Sequence, residues 1–476
     1  MVLGEFKIIF MLFNSFDFLI LFPFIFLLYW IIPTKYTSIR KAFLILVSFL
    51  CYLNWKPWFA LVLIGVIVVT YLFARWLQNT DRQKNIVVGG VILSLLPLLF
   101  FKYYNFVNES VWSLLSCVGL RYELKGLNWA VPIGISFFSF QAVGYLLDVY
   151  YKRVEVEKNF WDYTLFVSCF PQVVSGPISK AYELLPQIKL LPKFDYEKAR
   201  SGMQWLLWGL FLKVVLADRV GLYVDLIFNN YEHYSGWNTI LAAVLYSFQI
   251  YGDFAGYSFM AVGVAKLLGF DLINNFDRPY FAQSVTNFWR RWHISLTRWL
   301  TQQVYIPLGG SRCSKMRQYF NIMVTFLVSG IWHGANWTFI VWGVLHGFFQ
   351  IVEKALDLGK SESKGLLGVL RVGVTFVLVT LAWVIFRSPS IDVAVEFIAS
   401  MVDFNGFAAD GMDVLRYSVI ALTILLFWEL LCEYKKDFIL HLAYYKVIRW
   451  MVYLFIVVMI MLTGVFDGGQ FIYANF

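Results

Sequence analysis

The chain has 476 residues, of which 60% are hydrophobic, 20% aromatic and only 14% charged, and its mean hydropathy is +0.67. A soluble protein of this length has too little interior to hide so much apolar surface, so the composition indicates an integral membrane protein. The formal net charge of +9 does not indicate a nucleic-acid partner, because Lys and Arg lie in short stretches between apolar runs. Five scattered cysteines show neither metal-ligand nor disulfide spacing, and we expect no metal.

Apolar runs predict an all-α, polytopic membrane fold with about eleven transmembrane helices. The runs are 16–32, 42–54, 57–77, 86–104, 130–150, 203–228, 238–269, 319–350, 366–387, 415–433 and 449–466. Two of them, 238–269 and 319–350, are too long for one span and carry internal glycines, so we expect broken or doubled helices. The apolar segment 166–178 holds two prolines and a glycine, which favours a re-entrant segment whose backbone is satisfied by protein or by a cavity.

The basic residues predict the topology, because loops rich in Lys and Arg stay in the cytoplasm. They place the loops that follow the first, third, fifth, seventh and tenth runs inside, and both termini outside. We interpret 1–476 as a single membrane-embedded domain with a motif-rich core at 95–350 and an outer C-terminal tail at 466–476. Met11 resembles a natural start, so residues 1–10 are expected to be an upstream extension.

The segment NFWRRWHISLTRWL (287–300) predicts an amphipathic helix lying in the membrane interface. At about 100° per residue its apolar face carries Phe288, Trp289, Trp292, Leu296, Trp299 and Leu300. Its polar, basic face carries Arg290, Arg291, Ser295, Thr297 and Arg298. His293 falls at the seam between the two faces. The segment is then either a snorkelling anchor or a site whose three arginines attract a polyanionic cofactor while His293 points into a pocket.

The stretch SGIWHGANW (329–337) places His333 at membrane depth, where ionisable groups are costly. Such a residue is either a hydrogen-bonded core histidine or a general base, because neutral imidazole can take a proton from an attacking hydroxyl. Gly330 and Gly334 allow another backbone or a substrate to approach closely. We expect Trp332 and Asn336 to orient the ring.

Other polar residues are weaker candidates. His346 lies about 220° around a straight helix from His333, so the pattern does not predict a shared pocket. Asp253 and Asp148 flank the membrane, and we expect each to pair with a positive group. His233 lies in an outer loop, without a constellation of catalytic residue types around it.

Taken together, the motifs resemble the membrane-bound O-acyltransferase (MBOAT) family, and most closely its branch for alginate O-acetylation. They occur in order over most of the chain and are highly specific as a series. They include VPIGISFFSFQAVGYLLDVY, FPQVVSGPI, LWGLFLKVVLADR, YGDFAGYS, NFWRRWHISLTRWL, VYIPLGG, GIWHGANWTFIVWGVLHG, AWVIFR and the terminal FIYANF. Departures are Phe259 where an acid is common, TQQ before VYIPLGG where an Arg-Asp pair is usual, and Ala474 where an aromatic is usual.

The resemblance implies a fold around a central tunnel, with His333 as the catalytic residue. His293 occupies a second signature position, usually asparagine or histidine, that lines the same tunnel. It also implies that no cofactor is permanently bound and that acetyl-CoA is the donor on the cytoplasmic side of a bacterial inner membrane. The implied acceptor is an extracytoplasmic polysaccharide, reached through a serine-esterase-like (SGNH) partner protein.

The tail suggests a relay through Tyr473, the fourth residue counted from the C-terminal end, beside Phe471, Ile472 and Phe476. If the tail folds into the outer mouth, the Tyr473 hydroxyl accepts acetyl and hands it to the serine of the partner. The alternative is an aromatic interfacial anchor. Full transfer activity in Tyr473→Phe would exclude the relay.

Two other functions stay open at the level of sequence. One is transfer of D-alanine or another acyl group from a carrier protein to a cell-wall polymer. An acidic carrier protein would also be attracted by the positive charge of the basic segment. The other is a non-catalytic glycan or lipid transporter or scaffold. That function predicts polar residues along many helices, whereas here the intramembrane polar groups concentrate around two histidines.

Overall fold

In the computed structural model the described residues are 12–53, 56–78, 82–120, 125–358, 363–404, 410–435 and 445–466. They contain helices and no strand, which confirms the all-α prediction. Two compact units are formed: Met1–Gln204 with Ala261–Ile273, and Trp205–Met260 with Asn274–Phe476. The interpretation of the whole chain as a single domain stays a prediction, and residues 1–10 lie outside the described residues.

The described residues form the following α-helices in the first half of the chain: α1 Phe16–Ile31, α2 Thr37–Leu53, α3 Phe59–Leu77, α4 Gln83–Leu98, α5 Tyr104–Cys117, α6 Ile135–Tyr150, α7 Phe160–Ser168, α8 Phe170–Val173, α9 Ala181–Lys189, α10 Tyr196–Leu210 and α11 Asp218–Asn229. The second half forms α12 Trp237–Leu267, α13 Val285–Arg291, α14 Ile294–Leu300, α15 Lys315–His333, α16 Trp337–Ala355, α17 Gly365–Arg387, α18 Ile391–Ser400, α19 Met412–Tyr434 and α20 Lys446–Thr463. Wider π-helical turns lie at Leu99–Tyr103, Phe211–Ala217 and Thr301–Tyr305, and 3₁₀ turns at Tyr231–His233 and Pro279–Phe281.

Several helices are long and apolar enough to cross a bilayer, in agreement with a polytopic membrane protein. Among the described residues five stretches meet both criteria: Phe59–Leu77, Gln83–Cys117, Gly365–Arg387, Leu415–Tyr434 and Lys446–Thr463. Helix α1 is apolar but has only 16 residues. The larger count of about eleven spans stays a prediction.

The expectation of a broken or doubled helix at 238–269 was wrong, because α12 is one uninterrupted helix of 31 residues. Its glycines serve helix packing instead of breaking the helix. A Cβ on Gly256 would lie 2.8 Å from the carbonyl oxygen of Gly209 in α10, and a Cβ on Gly209 would lie 2.5 Å from the oxygen of Gly256. Small residues at both positions therefore let the two backbones touch.

The membrane-flanking acids are paired with cations, as the sequence predicted. The Asp253 carboxylate lies 2.5 Å from the buried Lys213 ammonium, which also lies 2.7 Å from Asp218. Asp148 accepts from Arg153 at 2.9 Å. Ionic groups of this kind are held in a protein interior only when they are paired, so these acids support the fold.

Segment 166–178 is buried and irregular, while its re-entrant course through the membrane stays a prediction. All residues of this segment are buried, and it contains the end of α7 and the short helix α8. Where the helix breaks, the Phe166 carbonyl accepts from Gln141 and Gln172, and the Phe170 amide donates to Ser48. Side chains of the protein thus satisfy the irregular backbone.

Candidate active site

The segment 319–350 is doubled into a helical hairpin, as its length predicted. Helices α15 and α16 run antiparallel and are joined by three residues. A Cβ on Gly330 would lie 2.4 Å from the carbonyl oxygen of Phe339, and one on Gly343 would lie 2.5 Å from that of Phe326. At Gly334 a Cβ would lie 2.0 Å from the Phe339 ring. The prediction that Gly330 and Gly334 allow close approach is confirmed.

His333 is the last residue of α15 and lies at the tip of this hairpin with 2% of its surface exposed. Three aromatic rings surround it. The ring centroids of Trp332, Trp342 and Phe386 lie at 4.9, 5.0 and 5.4 Å, all edge-on to the imidazole. The imidazole is therefore shielded from bulk water, which strengthens any hydrogen bond that it makes.

The continuous amphipathic helix predicted for 287–300 was wrong, because the chain turns at His293. Its backbone is left-handed, with φ 43° and ψ 53°, and separates α13 from α14. Asn275 explains why the turn is stable: its carbonyl accepts from the Ile294 amide and its side chain from the Ser295 amide, both at 3.0 Å. These bonds satisfy the first amides of α14 as an N-cap does.

The burial predicted for the two faces of segment 287–300 is confirmed for the apolar face and only in part for the polar face. All six residues of the predicted apolar face are buried. Ser295, from the polar face, is buried as well, and its burial follows from the turn. The rings of the apolar face pack on protein: Trp292 lies 5.0 Å from Phe276 and 5.0 Å from Trp383.

His293 is fully buried at this turn, 4.7 Å from the Phe254 ring and 5.7 Å from that of Trp332. It lies outside every predicted spanning segment, and burial lowers its pKa to about 3, so the imidazole is neutral at neutral pH. Trp332 contacts His333 on its other side. The structure thus brings both predicted histidines to one indole ring, Trp332.

His346 belongs to the same cluster, which sequence reasoning missed. Its ring is fully buried, 4.8 Å from Trp342, the residue that also contacts His333. The Trp289 indole N–H donates to its Nδ1 at 3.2 Å. The angular argument failed because it assumed one straight helix across the hairpin turn. The i,i+4 spacing of Trp342 and His346 is the signal that would have indicated this contact.

A cavity of about 470 Å³ lies beside this cluster. Its basic wall is formed by Arg290 and Lys354, while Glu353 is engaged at the start of α13, where it accepts from the amides of Val285 and Thr286. The remaining lining residues are Thr286, Trp289, Thr297, Leu300, Thr301, Tyr305, Ile322, Thr325, Phe326, Ser329, Gln350 and Asp357.

The three predicted cofactor-binding arginines have different surroundings. Arg290 is exposed on the cavity wall. Arg291 forms a two-pronged ion pair with Glu433, with both nitrogen–oxygen distances at 3.0 Å, so it fastens α13 to α19. Arg298 is half-buried in α14. Their role toward a cofactor stays a prediction.

Asn336 caps α16 instead of contacting the imidazole. Its carbonyl oxygen accepts from the Thr338 amide at 3.0 Å, and its amide donates to the carbonyl of Pro389 at 2.8 Å. The predicted contact with His333 rested on a continuous helix, which the break at Gly334 removes. Tyr473 lies outside the described residues, and its relay role stays a prediction.

Comparisons with known proteins agree with this architecture. The model of the membrane-bound O-acyltransferase family matches residues 18–359, a range that contains all three buried histidines. The chain is 34% identical to the probable alginate O-acetylase AlgI of Azotobacter vinelandii, over 87% of this chain and 83% of that protein. It is 33% identical to the peptidoglycan O-acetyltransferase of Helicobacter pylori, over 85% and 82%.

A more distant similarity is to the teichoic acid D-alanyltransferase of Streptococcus thermophilus, at 26% identity over 61% of this chain and 68% of that protein. The chain belongs to the membrane-bound O-acyltransferase family, as its motifs predicted. It is therefore a polytopic membrane acyltransferase.

Proposed function

We propose that this acyltransferase moves acetyl from cytoplasmic acetyl-CoA across a bacterial inner membrane for O-acetylation of an extracytoplasmic polysaccharide, with His333 as general base. Relatives named for alginate and peptidoglycan O-acetylation cover 87% and 85% of the chain, whereas the D-alanyltransferase covers 61%. This difference in coverage and identity favours acetyl over D-alanyl as the transferred group.

The observation that carries the proposal is the position of His333, a buried imidazole at a helix end enclosed by Trp332, Trp342 and Phe386. In the reaction, the hydroxyl oxygen of the acceptor attacks the thioester carbonyl carbon while its proton passes to the His333 imidazole. The carbon–sulfur bond then breaks, and the imidazolium returns the proton to the CoA thiolate. His293 lies next to this site, because it contacts Trp332, which in turn contacts His333.

The cavity beside the histidine cluster supports acetyl-CoA as the acyl donor. Arg290 and Lys354 on its wall offer positive charge to the phosphates of CoA. The predicted topology places the basic start of α15 in the cytoplasm, where acetyl-CoA is present. Acetyl-CoA is thus a substrate and not a resident cofactor.

On the outer side, the proposal includes a serine-esterase-like (SGNH) partner that delivers acetyl to the polysaccharide, with Tyr473 as an intermediate carrier. These elements come from the motif resemblance, including the terminal FIYANF. A gene for such a partner beside the gene for this chain would support them.

The test compares His333→Ala with His233→Ala, an exposed histidine in a 3₁₀ turn that serves as the matched control. Cells lacking the native chain are complemented with each variant, and the O-acetyl content of the surface polysaccharide is measured beside the amount of chain in the membrane. We expect His333→Ala to lose at least about 10²-fold, the usual contribution of a general base, and the control to match the native chain. Unchanged acetylation in His333→Ala would refute the proposal.

A second measurement separates the donors. Membrane vesicles are given either labelled acetyl-CoA or a labelled D-alanyl carrier protein. Transfer from the carrier alone would replace acetyl by D-alanyl in the proposal. A transporter would consume neither donor.

A further inference from the structure

The hydrogen bond from Trp289 assigns the protonation of His346. The Trp289 indole is a donor only, and it lies 3.2 Å from His346 Nδ1. His346 Nδ1 must therefore accept, which makes the imidazole neutral and places its hydrogen on Nε2. His346 thus presents an N–H donor from its other side.

That donor has no hydrogen-bond acceptor among the described residues, although the ring is fully buried. The same is true of the indole N–H of Trp342, whose ring lies 4.8 Å from that of His346. A buried donor that is left unsatisfied destabilises the fold. Two such donors on neighbouring rings point to an acceptor supplied from outside the protein.

Shared ring contacts connect the cavity with His346, Trp342 and His333. Trp289 and Phe326 line the cavity and also pack on the His346 ring, with centroids at 5.2 and 6.2 Å. Trp342 contacts His333 at 5.0 Å on one side and His346 on the other. An acyl group that passed from the cavity to His333 along these contacts would pass the rings of His346 and Trp342.

We propose that His346 and Trp342 are further catalytic residues, whose His346 Nε2–H and Trp342 Nε1–H bind the carbonyl oxygen of the acyl thioester. When the acceptor oxygen attacks the carbonyl carbon, the electron pair of the C=O bond moves onto this oxygen and makes it an oxyanion. The two N–H donors stabilise that charge. When the C=O bond forms again the thiolate leaves, and it takes the proton held by His333.

The chemistry suits a neutral imidazole. A preorganised N–H donor in a water-excluded site stabilises a developing oxyanion without reorganisation. A neutral histidine donor does this while leaving the proton-transfer role to a different residue. The inference rests on the proposed thioester donor, and it gives His333 and His346 different tasks in one reaction.

The experiment measures the carbonyl stretching frequency of bound acetyl-CoA, ¹³C-labelled at the acetyl carbonyl, by difference infrared spectroscopy without acceptor. Hydrogen bonds to the carbonyl lower this frequency. We expect the shift to be lost in His346→Leu and reduced in Trp342→Phe, with kcat down about 10²-fold or more for the leucine variant and KM for acetyl-CoA little changed. His346→Gln, which keeps a side-chain N–H donor, should recover part of both.

Trp208→Phe, which alters an indole stacked on Phe211 away from the site, is the matched control and should behave as the native chain. A leucine variant with native kcat and native carbonyl frequency would overturn the role of His346. A fall in kcat with an unshifted carbonyl would also overturn it, because it would indicate packing alone. An inactive native chain without a bound carbonyl band would instead count against acetyl-CoA as donor.

Discussion

Two predicted histidines lie at helix ends: His333 in the hairpin α15–α16, and His293 in the turn between α13 and α14. The backbone conformation of the histidine differs between the two places. In the hairpin His333 keeps helical backbone, and the chain turns at Gly334, which is extended. At the other turn His293 itself adopts the left-handed conformation. Position 333 is therefore constrained by side-chain chemistry alone, whereas position 293 is constrained by backbone geometry as well.

This difference gives a physical reason for the family pattern at the second signature position. Asn, Asp and His are the residue types other than glycine that most often adopt positive φ. The resemblance implies asparagine or histidine at position 293, and both can make this turn.

The largest effect on stability and activity is expected from a larger side chain at Gly330, where α15 and α16 are in close contact. Gly330→Ala would place a methyl group 2.4 Å from the carbonyl oxygen of Phe339, so α15 and α16 must separate. We expect a loss of about 3 kcal/mol or more in the free energy of unfolding and loss of transfer activity. Thermal unfolding in detergent measures the first.

Gly373→Ala in α17 is the matched control, because a Cβ there meets nothing within 4 Å. It should stabilise the chain by about 0.5–1 kcal/mol, as removal of a helical glycine does. If both alanine variants melted alike, the close contact in the hairpin would not be a determinant of stability.

An intermediate effect is expected at the turn. His293→Ala loses both the imidazole and the tolerance for positive φ, which costs about 1–2 kcal/mol for an ordinary residue. His293→Asn keeps the backbone preference, so it should melt above the alanine variant and retain more activity. Equal melting temperatures for the two variants would show that the left-handed backbone at 293 does not select the residue.

The smallest effects are expected for two neighbouring arginines. Arg290→Gln should raise the KM for acetyl-CoA without changing stability, because its side chain lies on the cavity wall. Arg291→Gln should instead lower the free energy of unfolding by about 1 kcal/mol, because its ion pair with Glu433 is lost. The loss stays small because Arg278, 3.2 Å from Glu433, still pairs with that carboxylate. The pair is tested by titrating acetyl-CoA and by thermal unfolding, and an exchange of the two phenotypes would contradict the assignment.

The sequence predicted the features that depend on local pattern. The length of 319–350 indicated a doubled helix, and the periodicity of 287–300 identified its buried face. It missed features that depend on partners far along the chain. The turn at His293 needs Asn275, and the environment of Arg291 is set by Glu433, 142 positions away. The glycines of α12 look like helix breakers until the backbone of α10 is seen against them.

Trp289 has two duties in this arrangement: its ring bounds the cavity, and its N–H holds His346. A longer acyl chain that displaced this indole would also release the imidazole that the indole fixes. We therefore expect the protein to discriminate against long acyl chains without a separate gate. The Trp289 ring that a long chain displaces is the same ring that holds His346 in place.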